Sequence, residues 1–214
     1  MIFNIKLQKN ITMKNVYFLP WEGPNYNAGF NGKKILVVGA SHYCDEGCID
    51  CPQKCSKDVT INTIKENART NITTRYKKTF TCFERAMTNK ESNSLTERES
   101  FWDSVSFYNF CKTPVSNCKK KPSNDSLIAS VPAFKEVLTS LKPDVVIIWG
   151  THTRDTILSQ LDCELLEQCN KGNLYSLKYD SSSKAVLCPI HHPSIGFSWQ
   201  EWHPFIDKAI NTSI

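Results

Sequence analysis

The sequence predicts one α/β domain built on a central, mainly parallel sheet with helices on both faces, a three-layer α/β/α sandwich. Three observations predict it. Lys34-Ile-Leu-Val-Val-Gly39 and Asp144-Val-Val-Ile-Ile-Trp-Gly150 are short β-branched runs closed by glycine, the pattern of strands buried on both faces. Stretches of helical spacing separate these runs, which is the order that builds parallel strands with crossover helices. A chain of 214 residues, 40% hydrophobic and 22% charged, can bury one core of this kind.

The elements follow in order. Residues 1–12 are read as a leader or disordered start, and 13–214 as the single domain. After the first strand, Cys44 to Cys55 is a cysteine-rich loop carrying Gly47 and Pro52. Residues 60 to about 87 are mainly helical. Thr96-Glu-Arg-Glu99 fits a capping box, so a helix is expected to start there, with Phe101, Val105 and Tyr108 as its apolar face and Asn109 near its end. Lys112 to Asp125, with Pro114, Pro122 and Lys119-Lys120-Lys121, is a surface loop. Phe134, Val137, Leu138 and Leu141 keep helical spacing up to Pro143. Ile157, Leu158, Leu161, Leu165 and Leu166 predict another amphipathic helix. Strands over Asn173–Tyr179 and Ala185–Ile190 flank a serine-rich turn, and Trp199, Trp202, Phe205, Ile206 and Ile210 fit a closing helix.

Composition narrows the function classes. The longest uninterrupted apolar run, Val145 to Trp149, is far short of the ~20 residues that a membrane helix needs. No secretory signal pattern opens the chain, so a cytoplasmic, membrane-free and monomeric protein is expected. The net charge of +5 is uneven: residues 60–142 hold 14 Lys and Arg against 8 Asp and Glu, whereas residues 143–214 hold 5 against 8. A basic middle can attract phosphate, and a solvated surface explains it equally well.

Cys44, Cys48, Cys51 and Cys55 are crowded into twelve residues. Four thiolates in a short loop can close a tetrahedral site, and soft sulfur selects zinc or an iron–sulfur cluster over hard cations. Zinc is favoured, because iron–sulfur runs usually show other spacings. Paired disulfides and unliganded thiols are the alternatives. The other six cysteines are dispersed and read as small packing residues.

Four motifs fall in a recognisable order: Val-Val-Gly-Ala-Ser-His-Tyr at 37–43, Phe-Tyr-Asn-Phe at 107–110, Val-Ile-Ile-Trp-Gly at 146–150 and His-Pro-Ser at 192–194. In order and spacing they resemble the uracil-DNA glycosylase superfamily over roughly residues 30–210. The resemblance implies a DNA-repair hydrolase whose partner is DNA, or a binder of a nucleobase, nucleotide or nucleic acid that keeps the inherited pocket. By the same resemblance, His192 stabilises the departing base as negative charge develops on it, and Asn109 reads the base edge with its donor and acceptor. Tyr43 stands where a family tyrosine excludes the thymine methyl, and Ser194 and the backbone near Gly39 contact phosphate. The family's water-activating Asp is replaced by Ser41, and its Gln by Ala40. A hydroxyl can orient a water but cannot serve as the anionic base. His42 is a candidate substitute base. Phe197 takes the place of a family leucine that wedges into the duplex, or it packs beneath its loop. For Asn109 the alternative is a helix cap, and for His192 a satisfied loop histidine.

Overall fold

A computed structural model describes residues 13–43, 55–70, 77–116, 120–194 and 196–214. The expected leader and most of the cysteine loop lie outside these residues.

Among the described residues seven strands are formed: β1 (Trp21–Glu22), β2 (Ile35–Gly39), β3 (Ser106–Asn109), β4 (Val145–Trp149), β5 (Asp162–Cys169), β6 (Gly172–Lys178) and β7 (Lys184–Ile190). They make one sheet in the order β1-β3-β2-β4-β7-β6-β5. Strands β3, β2, β4 and β7 run parallel, and β1, β6 and β5 are added antiparallel at the two sides. The α/β class and the parallel centre agree with the sequence, while the edges make the sheet mixed.

Alternation along the central strands divides the core in two. Ile35 and Val37, Phe107, Val145, Ile147 and Trp149 face one cluster, and Leu36 and Val38, Tyr108, Val146 and Ile148 face the other. The first is covered by α1 (Val59–Arg69), α2 (Lys77–Thr88), α3 (Leu95–Ser104) and α7 (Trp199–Asn211). The second is covered by α4 (Asn124–Ile128), α5 (Val131–Leu141) and α6 (Thr151–Gln160). Helices therefore lie on both faces. None of the helices among the described residues is long and apolar enough to cross a membrane.

Three expectations are corrected. The capping box sits two residues earlier than read: Glu97 N–H donates to Ser94 Oγ, and Ser94 N–H donates to the Glu97 carboxylate. Ser94-Leu-Thr-Glu97 and Thr96-Glu-Arg-Glu99 overlap as matches, and the chain uses the first. Helix α3 then ends at Ser104, so Tyr108 and Asn109 belong to β3 rather than to a helix. Phe101, Val105 and Tyr108 have helical spacing, but Ser106-Phe-Tyr-Asn extends because β1 and β2 offer it two ladders to join. Finally, α6 stops at Gln160, and Leu165 and Leu166 lie exposed on β5. The register pairs Cys169 with Gly172, making Asn170-Lys171 the two-residue connection of a hairpin.

The helices over the first cluster are tied by one buried carboxylate. Glu84 of α2 is 1% exposed. Its Oε1 accepts from Trp102 Nε1 at 2.7 Å and from Asn67 Nδ2 at 2.9 Å, and its Oε2 lies 3.3 Å from Arg98 Nε. Removing the carboxylate leaves donors from α1 and α3 without a partner. Glu84→Leu is therefore expected to lower stability by about 3 kcal/mol, measured by urea unfolding followed by tryptophan fluorescence.

Candidate active site

In open parallel sheets, ligands collect beyond the carboxyl ends of the strands. Here β3, β2, β4 and β7 end side by side at Asn109, Gly39, Trp149 and Ile190. Their following residues carry most of the predicted site.

The register places Gly39 opposite Asn109. The pairing then continues past the strands. Phe110 N–H donates to the Gly39 carbonyl, Cys111 N–H to Ala40 and Val115 N–H to His42, each at 2.9 Å. A Cβ on Gly39 would stand 2.4 Å from Asn109 Oδ1 and 3.1 Å from Phe107 Cζ. A side chain at Gly39 would therefore displace the Asn109 amide, which lies across its Cα.

On the other side of the site, Gly150 follows β4 with φ +91°, a conformation that penalises any side chain. Its N–H donates to the Ile190 carbonyl at 2.9 Å, and His192 Cβ lies 3.8 Å from where its own Cβ would be. The His192 ring meets Trp149 edge-to-face with centroids 6.0 Å apart. Trp149 in turn lies 5.2 Å from Phe107. Phe107 and Trp149, each 3% exposed, are thus part of the core beneath the strand ends that carry Asn109 and His192. His192 remains exposed, yet its packed side is desolvated enough to hold its pKa below the ordinary histidine value.

Two polar groups of this core and loop are buried without hydrogen-bond partners among the described residues, Trp149 Nε1 and Ser41 Oγ. Ser41 itself is 7% exposed. Buried polar atoms normally find partners, so unpaired ones beside a strand edge suit a site that a ligand or water completes.

His42 is differently placed from a general base. It is 8% exposed, with Nε2 2.9 Å from Thr60 Oγ1 and Phe18 edge-on to the ring at 4.6 Å. Asn109 Nδ2 lies 3.2 Å from each ring nitrogen. Burial pushes its pKa down to about 4, so it is neutral near pH 7, but its nitrogens are occupied by the protein.

The remaining predicted residues separate. Ala40 is half-buried, and Tyr43 is exposed, its backbone bridged to Val115. Ser194 is exposed in a tight turn, its N–H donating to the His192 carbonyl at 2.7 Å. Phe197 stacks on Trp202, with centroids 5.9 Å apart and planes 5° from parallel, and packs against the core. Of its two readings, packing beneath the loop is the one observed. Cys44, Cys48 and Cys51 lie outside the described residues. Cys55 is half-buried, and its carbonyl accepts from Tyr17 Oη at 2.8 Å. Among the described residues, no group of three or more His, Cys, Asp or Glu could hold a metal ion.

Cavity volume does not point to the same place. A cavity of about 310 Å³ lies between Phe30, Met87, His203 and Ile210, near the amino end of β2. A second, of about 160 Å³, opens at the strand ends between Gly150, Arg154, Lys171, Tyr175 and His191, spanning the ends of β4 and β7 and the start of β6. The chemistry-bearing groups instead lie along the edge itself. Sequence reasoning missed Phe18 and Thr60, which hold His42 and lie in stretches without a motif. It quoted Phe107 and Trp149 inside motifs but gave them no role in the site.

Neither a scan of protein-family models nor a search of curated proteins found a match for this chain.

The low pKa of His42 has a consequence for stability. An unfolded histidine takes up a proton near pH 6.5, whereas folded His42 resists until about pH 4. Its contribution is therefore complete above pH 6.5 and is lost as pH falls toward 4. The unfolding free energy is expected to drop by up to about 3 kcal/mol across that window, and His42→Phe should flatten the drop in urea titrations at stepped pH.

Proposed function

We propose that this chain is a divergent uracil-DNA glycosylase-like protein, a three-layer sandwich whose strand-end site takes a base flipped out of DNA and hydrolyses its N-glycosidic bond. One observation carries the reading. The Asn109 amide lies on Gly39 and His192 lies beside Gly150, with Phe107 and Trp149 in the core beneath. The buried Phe107 and Trp149 give these strand ends an apolar backing, and Asn109 can hydrogen-bond the edge of a planar base. His192, neutral and partly desolvated, can donate to a carbonyl oxygen as charge develops there.

The basic loop supports a nucleic-acid partner. Val115 pairs with Tyr43, and the Pro122 carbonyl lies 3.1 Å from His152 Nε2, so the segment with exposed Lys120 and Lys121 is anchored at the same edge. Lysines there can meet the phosphates that flank a flipped nucleotide.

A second reading, binding without hydrolysis, is favoured by the state of the two residues that would activate water. Ser41 is neutral, and His42 is engaged with Thr60 and Asn109. The two readings part in one assay. Labelled single- and double-stranded DNA containing uracil, incubated with the protein and then treated with alkali, should break at the uracil, and His192→Ala should abolish the break. Gly39→Ala, which displaces Asn109, should slow cleavage by about a hundredfold. Retained DNA binding with no abasic product would leave the binding reading in its place.

Zinc held by Cys44, Cys48, Cys51 and Cys55 belongs to the same proposal as a structural ion beside Tyr43. Elemental analysis of the purified protein should give one zinc per chain, and Cys48→Ser should release it.

A further inference from the structure

We propose that the larger cavity, at the opposite end of the sheet from Asn109, binds a small ammonium ion carried on an aromatic body. This second site is independent of the base-recognition reading above.

The cavity holds about 310 Å³, at the lower end of the range for small-molecule sites. It lies between the turn that precedes β2, the last turn of α2 and the last turns of α7. Apolar side chains form one wall. Met87 and Ile210 are each 3% exposed and belong to the core, and Phe30 packs on that core with its ring edge-on to Phe101 at 5.5 Å. A wall of a thioether, a phenyl ring and a branched aliphatic chain suits an aromatic guest, since sulfur makes favourable contacts with rings.

The polar rim offers acceptors. His203 Nδ1 lies 2.8 Å from the Ala86 carbonyl, which can only accept, so this nitrogen carries the proton. In the neutral ring Nε2 is then left with a lone pair. Asp207 stands four residues on, one turn along the same face of α7. Its carboxylate has no partner among the described residues, and only its backbone carbonyl is used, by Asn211 Nδ2 at 2.9 Å. α2 ends at Thr88 on the rim, and the last carbonyls of a helix lack intrahelical donors and carry the negative end of its dipole. Lys90, also on the rim, is already paired with Glu97. A carboxylate, a lone pair and a helix C-terminus therefore border one apolar wall, with the Asp207 charge left uncompensated. An ammonium group, a cation that only donates, complements that rim.

The test uses full-length protein labelled with ¹⁵N and titrated with phenethylammonium near pH 7. Saturable amide shifts should centre on Phe30, Met87, Thr88, His203 and Asp207, with Asn109 and His192 unmoved. Phenethyl alcohol, which has the same shape without the charge, should bind about fivefold more weakly, and the anion phenylacetate more weakly still. Asp207→Asn, a change at an exposed position, should lower the affinity for the ammonium to that for the alcohol and leave the alcohol's own affinity unchanged. Nα-acetyl-lysinamide, which presents the same cation on a protein side chain, should bind more weakly than phenethylammonium. Shifts scattered over the surface, equal affinities for the ammonium and the alcohol, or wild-type binding by Asp207→Asn would overturn the site. Tighter binding of the lysine derivative would overturn the small aromatic amine as its occupant.

Discussion

The pairing of β2 with β3 is the constraint on which the candidate site depends. Parallel strands in register bring Gly39 level with Asn109, and the absence of a side chain at Gly39 lets the amide lie across the strand end. The backbone bonds that continue to Ala40 and His42 then carry the following loop along the same line. Without that register, Asn109 would not reach His42, and the Phe107 ring would not lie beside the glycine. On the other flank, Gly150 does the same by conformation instead of by space, turning the chain out of β4 close under His192.

Burial sets the chemical character of these groups more than charge does. His42 and His192 are both held toward their neutral forms by desolvation. Both can therefore serve as neutral hydrogen-bonding groups near pH 7. Tight packing also divides their roles, because Phe18 and Thr60 enclose one ring while the other meets Trp149 and remains open to solvent.

Much of this was legible in the sequence where local pattern and tertiary setting agree. Ile35–Gly39 and Val145–Trp149 are β-branched, apolar throughout and closed by glycine, and they are the buried central strands. The motifs also put Gly39, Trp149 and His192 at or just after strands that prove to be neighbours, whereas Asn109 was expected near the end of a helix. Reading failed where a short segment had two compatible periods. Phe101, Val105 and Tyr108 match a helix, but neighbouring strands claimed residues 106–109. Leu165 and Leu166 continue a helical spacing, yet the Asn170-Lys171 turn folds that segment back as a hairpin. The enclosure of His42 was not legible at all, because Phe18 and Thr60 are distant in sequence and ordinary in type.

The outermost strand has a consequence of its own. β5 ends the sheet among the described residues, with Leu165 and Leu166 exposed, and an open strand of this length is a template on which further chains can stack. Its sequence works against such growth. Asp162, Glu164 and Glu167 repeat negative charge along it, the register shifts between Leu165 and Glu167, and Lys208 ties Glu167 to α7. The two leucines that look like a misplaced core are thus tolerated at the rim because acidic gatekeepers and a bulge keep one copy of the sheet from extending into the next.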